Sequence, residues 1–157
     1  MAEATELMEA STEIAASPET VWSIVSDLRR MGEWSPQCRK MFIRGNPVGV
    51  GTRTINVNRR GPLVWPTRSK IVRFEPNKAI AWRVADNHTV WTYEITPKGD
   101  GVVLTERRDA PGGQVTAISS TLVNAFMGGR DGFEAELREG MAESLGKIKR
   151  AAEAATS

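Results

Sequence analysis

Apolar and polar residues follow two different periods along this chain. From Glu6 to Ala15 they alternate loosely, as a strand requires, and "SPET" at Ser17 to Thr20 then opens a helix. Ser17 suits the N-cap, Pro18 fits a first turn that does not need its missing N–H, and Glu19 is well placed against the helix dipole. Val21, Ile24, Val25 and Leu28 form one stripe at helical spacing. Gly32 breaks the stripe, and Pro36 biases Ser35 toward extended backbone, so Trp34 is expected in a connector.

Six segments of period two come next: Arg39 to Arg44, Thr52 to Asn58, Leu63 to Phe74, Ala79 to Ala85, Thr89 to Thr96 and Val102 to Arg108. The turn-forming runs "GNPVGVG", "RRGP", "EPNK", "ADN" and "PKGDG" separate them, which predicts an antiparallel meander. After "APGG" the period lengthens again. Val115, Ile118, Leu122 and Phe126 mark one helical segment, and Phe133, Leu137, Met141, Leu145 and Ile148 a longer one, with "GGRDG" at Gly128 to Gly132 expected to kink or separate the two. Strand, helix, six strands and a long helix make an α+β chain, one antiparallel sheet covered on one face by helices.

Composition narrows the picture. A chain of 157 residues with 40% hydrophobic side chains is expected to form a single domain over residues 1–157 with a conventional core. Basic and acidic residues nearly balance, 21 against 19, and basic clusters such as "NRRG" and "KIKR" are short, so a nucleic-acid partner is not expected. The single cysteine, Cys38, has no internal disulfide partner. The start of the chain reads as no signal peptide and no apolar run reaches membrane-spanning length, so the expected location is cytoplasmic, with no transmembrane segment. One histidine, His88, and no cluster with metal-ligand spacing leave no metal site and no cofactor expected. No nucleotide-binding or nucleophile-elbow motif occurs, and Ser119 and Ser120 have no partnered base nearby, so no catalytic residue is assigned.

The runs "IAASPETVWSIVSDLRRMGEWSP", "VGVGTRTINVNRRG", "VWPTRSKIVRFEPNKAIAWRV", "WTYEI" with "DGVVLTE", and "GMAESLGKIKRAAE" resemble, in this order, the polyketide cyclase/dehydrase branch of the START-like superfamily. The resemblance implies a helix-grip fold: a curved antiparallel sheet of about seven strands around a long C-terminal helix, with a short helical pair after the first strand and a hydrophobic cavity between sheet and helix. It also implies a small hydrophobic ligand as partner, lipid-like or polycyclic aromatic. Because such folds host carriers, sensors and cyclases alike, it does not choose among them.

Strand parity then nominates cavity-lining residues. Trp65, Thr67 and Ser69 share one face of their strand, Trp82 lies among Ile80 and Val84, and Trp91 and Tyr93 share a third face. In "GTRTINVN" hydropathy alone turns Ile55 and Val57 inward, whereas the resemblance favours Thr54, Asn56 and Asn58. A loop at Lys98 to Gly101 sets Pro97 opposite Val102, Ile95 opposite Leu104, Tyr93 opposite Glu106 and Trp91 opposite Arg108, which brings Glu106 and Arg108 to the same wall. Arg108 is open to three roles there: orienting a ligand, neutralising Glu106 or stacking on Trp91. Leu122, Phe126, Met127 and Phe133 are the helical candidates. Trp34 either leans over the cavity mouth or plugs one end of the core. Three functions fit these residues: a carrier or sensor of an apolar ligand, a cyclase, aromatase or dehydratase using the same cavity, and an interaction module with a filled interior, acting as a monomer or homodimer.

Overall fold

A computed structural model describes residues 6–36, 38–45, 48–86, 88–110 and 129–156, without the side chains of residues 6, 7, 129–134 and 156. Chain order is β1 (Glu6–Ile14), α1 (Pro18–Val25), a 3-10 turn (Leu28–Arg30), α2 (Met31–Trp34), β2 (Cys38–Arg44), β3 (Arg53–Arg60), β4 (Leu63–Glu75), β5 (Ala79–Val84), β6 (Val90–Lys98), β7 (Gly101–Ala110) and α3 (Gly129–Thr156). The strands form one antiparallel sheet in the order β1-β7-β6-β5-β4-β3-β2. Hairpins join each strand from β2 to β7 to the next, and β1 adds beside β7. This is the α+β helix-grip arrangement expected from the sequence.

Local chemistry accounts for the boundaries. The Ser17 hydroxyl accepts from the Thr20 N–H at 3.1 Å and caps α1, whose buried face is Val21, Ile24 and Val25. Leu28 continues that face through the 3-10 turn. The β6–β7 hairpin keeps the register expected, Tyr93 opposite Glu106 and Trp91 opposite Arg108, but its loop is tighter: Lys98 already pairs with Gly101, so only Gly99 and Asp100 turn the chain. Gly99 has φ +59°, a left-handed conformation that glycine adopts without steric cost.

Two register shifts re-aim side chains. Between Cys38 and Lys40 an extra residue enters β2, so Cys38 pairs with Asn58 and turns to the inner face, whereas Lys40 and Phe42 face outward. A second shift between Ile71 and Arg73 keeps Ile71 in the core and turns Arg73 outward. Phe74 then packs inward, edge-on to Trp22 with ring centroids 5.1 Å apart.

The long helix α3 lies along β1 and against α1 and α2 and reaches β7. Leu145, Ile148 and Ala152 join the main core with Ile14, Val21, Leu28, Ile80 and Leu104; Leu137 and Met141 form a smaller cluster with Met8. Trp91 and Ala10 pack against both clusters. The far end of α3 is clamped to the sheet: Lys149 Nζ donates to the Glu13 carbonyl at 2.7 Å, and Glu153 accepts from the Ala15 N–H at 2.9 Å.

Two expectations change. "GRDG" at Gly129 to Gly132 belongs to α3 itself and does not separate two helices from that point on; the earlier stripe at Val115, Ile118, Leu122 and Phe126 lies outside the described residues. Trp34 is not in an extended connector but is the last residue of α2, and it is buried in the main core. The Arg30 guanidinium lies 4.8 Å above its ring. The Ser144 hydroxyl of α3 is shared between the Trp34 carbonyl at 3.1 Å and the Gly140 carbonyl at 2.9 Å. Trp34→Ala should therefore lower the unfolding free energy by about 3–5 kcal/mol in a urea titration, as large core truncations do. A loss below about 1 kcal/mol would show that the indole is not part of the core.

Candidate functional site

The inner face of the sheet divides by chemistry. On β3 and β4 it is polar: Thr54, Asn56 and Ser69 are buried, and Asn58, Trp65 and Thr67 are half-buried beside them. Their registers explain the meeting, because Thr54 opposes Ser69, Asn56 opposes Thr67 and Asn58 opposes Trp65. The Thr54 hydroxyl donates to Asn56 Oδ1 at 2.9 Å, which leaves the Ser69 hydroxyl as donor in its short contact with Thr54. Asn56 Nδ2 donates to Thr67 Oγ1 at 3.2 Å and to Ser69 Oγ at 3.3 Å; Asn58 Nδ2 donates to the same Thr67 oxygen at 3.0 Å and to the Trp65 carbonyl at 3.3 Å. These side chains satisfy one another, which is how a β-strand buries polar groups at low cost. Ile55, on the opposite face of β3, is exposed. At Thr54, Ile55 and Asn56 burial is thus the inverse of hydropathy, on the face the resemblance favoured, while Val57 and Asn58 are both half-buried.

Across β5, β6 and β7 the inner face is aromatic and holds one carboxyl. The rows Ile71–Trp82–Trp91–Arg108–Met8 and Ile80–Tyr93–Glu106–Ala10 run side by side over five and four strands. Trp82 and Tyr93 rings sit 5.9 Å apart, tilted by 42°. Glu106 is only 5% exposed, and its Oε1 has no hydrogen-bond partner among the described residues. Burial raises its pKa to about 8, and a hydrogen bond from Tyr93 opposes the rise only partly. Tyr93 is itself pushed well above the usual phenol range, first by burial and then by the Glu106 charge, with a further contribution from the nearby Cys38 thiol. Cys38, half-buried, is pushed up to about 11 by burial.

At neutral pH the pair is therefore an uncharged carboxylic acid beside an uncharged phenol. Its acid proton and its unpaired oxygen can donate to and accept from a third group. Arg108 lies over the Trp91 ring, its guanidinium carbon 5.9 Å from the centroid, the stacked geometry among its three possible roles.

The nominated residues fall into three sets. Thr54, Asn56, Asn58, Trp65, Thr67 and Ser69 form the polar patch, Trp82, Trp91, Tyr93, Glu106 and Arg108 the aromatic wall, and Trp34 stands apart in the core under α2. Leu122, Phe126 and Met127 lie outside the described residues, and the Phe133 side chain is not among those described. Cys38 is a neighbour of the pair that strand parity misses. A regular strand would turn it outward with Lys40 and Phe42, and only the bulge between Cys38 and Lys40 brings it inside. Among the described residues no group of three or more Cys, His, Asp or Glu side chains could hold a metal ion, and no helix is long and apolar enough to cross a membrane.

Proteins of known structure share this fold. The di-domain aromatase/cyclase StfQ of the steffimycin biosynthetic pathway superposes with a TM-score of 0.78 at 15% identity over 98% of this chain, which spans about half, 52%, of that protein. The Zhui aromatase/cyclase from Streptomyces sp. R1128 gives a TM-score of 0.74 at 16% identity, covering 98% of this chain and 97% of that one. The Polyketide_cyc-like protein Cgl2372 from Corynebacterium glutamicum is more similar in sequence, 29% identical over 98% of this chain and 95% of its own, with a TM-score of 0.63. No curated protein matches the sequence. Residues 5–153 match the family described as polyketide cyclase/dehydrase and lipid transport, and the chain belongs to that family.

Proposed function

We propose that the protein binds a small, largely apolar molecule bearing a carbonyl or hydroxyl group against the inner face of the sheet, and that Glu106 and Tyr93 hold that polar group. The observation that carries this reading is the buried Glu106 Oε1, which has no hydrogen-bond partner among the described residues. Leaving such an atom unpaired costs on the order of 1–3 kcal/mol, so a site that keeps it has a use for it. Trp82, Trp91 and Tyr93 offer broad apolar surface to an aromatic or lipid-like body, and the polar patch on β3 and β4 faces the same side. Orientation by a few polar groups inside an apolar wall is the ordinary design of small-molecule sites.

The same carboxyl supports a second reading, acid catalysis of a cyclisation or dehydration. With a pKa near 8 it keeps its proton at neutral pH, the state in which it can protonate a departing hydroxyl of a bound chain so that water leaves, and the carboxylate so formed takes up the proton lost from the neighbouring carbon as the double bond forms. Folding a reactive chain against a shaped wall would supply proximity. The aromatase/cyclase likeness of the fold is consistent with both readings.

Binding is tested with 2-acetylnaphthalene and its carbon-only counterpart 2-ethylnaphthalene. The protein should prefer the ketone by about three- to tenfold, the worth of one net hydrogen bond, and Glu106→Leu should erase the preference while retaining affinity for the hydrocarbon. Equal preference in both proteins would remove Glu106 from the site.

Charge linkage gives an independent check. The folded pKa of Glu106 lies above its unfolded value of 4.5, so the folded state binds the extra proton and stability falls as pH rises from about 4.5 through about 8. Each tenfold difference in proton affinity between the folded and unfolded chain is worth about 1.4 kcal/mol, so the total loss is a few kcal/mol. Chemical denaturation across this range should show that loss in the native protein and much less in Glu106→Gln, whose amide stays neutral. An unchanged pH slope in the variant would mean that Glu106 is charged in the folded protein.

A further inference from the structure

The outer face of the sheet is built in two unlike halves. Over β4, β6, β7 and β1 its charges are paired in a ladder: Arg73 bridges Glu75 and Glu94, the latter at 3.5 Å, and Arg107 bridges Glu94 at 3.2 Å and Glu9 at 2.6 Å. Nearer its turn, the β6–β7 hairpin adds a Lys98–Glu13 pair.

Over β2, β3 and the first part of β4 the pairing stops. Residues 38 to 70 hold eight of the chain's 21 Lys and Arg residues and none of its 19 Asp and Glu residues. Lys40, Arg44, Arg53, Arg59, Arg68 and Lys70 all point outward and are exposed, and among the described residues none of them makes an ion pair. Register interleaves them with apolar side chains: Arg44–Arg53–Lys70, Phe42–Ile55–Arg68 and Lys40–Val57–Pro66 are consecutive rows, followed by Arg59 opposite Val64. Phe42 is 48% exposed, Ile55 38% and Val64 57%. The Lys40 ammonium lies 4.9 Å above the Phe42 ring.

Protection of a sheet edge by basic residues explains cations on β2, which is an edge strand, but not those on β3 and β4, which are paired on both sides. Nor does edge protection explain large apolar side chains left in water among them. Cations attract an anionic surface, and apolar side chains set between cations gain only if that surface has an oily layer beneath its charges. Nucleic acid offers the charge without the oil.

We propose that the outer face of β2, β3 and β4 is a docking surface for an anionic lipid bilayer. Phe42, Ile55 and Val64 enter the headgroup boundary, and the six cations contact lipid phosphates around them. This surface involves only the outer face of the sheet and is independent of whether the inner face takes a ligand.

Co-sedimentation with vesicles tests it, using phosphatidylcholine alone and phosphatidylcholine mixed with phosphatidylglycerol. The protein should bind the anionic vesicles and not the neutral ones, and binding should weaken as salt is raised. The double variant Arg53→Glu/Lys70→Glu should weaken binding at least about tenfold, given the contribution of each cation near a charged membrane. Phe42→Ser/Val64→Ser, which changes no charge, should weaken it as well. All four positions are exposed, so unchanged thermal denaturation of both variants is the control for folding. Failure to bind anionic vesicles, or binding that neither variant alters, overturns the proposal. So does equal binding of a DNA duplex together with indifference to Phe42→Ser/Val64→Ser, because the surface would then recognise any polyanion.

Discussion

The two-residue turn at Gly99 and Asp100 fixes which side chains of this protein meet. Side chains alternate across a strand, so a slip of one residue between β6 and β7 would send Tyr93, Trp91, Glu106 and Arg108 to opposite faces. The registers of β1 with β7 and of β5 with β6 extend the same row, with Met8 beside Arg108 and Trp82 beside Trp91. Apolar matching guards the β6–β7 register: Ile95 faces Leu104, and both are buried. The buried carboxyl is held by the same constraint that builds the core around it.

Glu106 lies where the two hydrophobic clusters adjoin. Its neighbour across the strand pair, Ala10, touches both clusters, as does Trp91 in the adjacent row. An apolar residue at this position would merge them into one continuous core. The chain instead keeps a proton-bearing group there, flanked by a phenol that is itself hard to ionise. Uncharged donors and acceptors in an apolar wall favour a neutral guest over an ionic one.

Much of the fold was legible in the sequence because helix signals and hairpin turns act over a few residues. Ser17 with Pro18 marks α1, and "PKGDG" marks the β6–β7 turn; Leu137, Met141, Leu145 and Ile148 face the core of α3 as their spacing requires. What hydropathy misreads depends on distant partners. Thr54 and Asn56 are buried because Ser69 and Thr67 satisfy them from the next strand, and Ile55 is left outside on a face that hydropathy assigns to the core. Cys38 turns inward through a bulge that no alternation rule anticipates. Trp34 shows the same limit: Gly32 and Pro36 mark a break in helical pattern, but the short helix α2 exists because α3 packs over it and Ser144 reaches its last carbonyl. That Glu106 Oε1 has no partner among the described residues follows from register and burial together, and only the first of these can be counted along the chain.

The pairing of β1 with β7 also governs how the chain reaches this state. Even its closest pair, Ile14 with Val102, joins residues roughly ninety apart, whereas the other strands pair with their immediate successors. The hairpins from β2 to β7 can zip in sequence, but β1 must wait for β7. Closing so long a loop is slower than zipping a hairpin. During synthesis on a ribosome β1 emerges first and pairs last. Through that interval Met8 and Ile14 have no strand beside them, which makes β1 the segment a chaperone would meet.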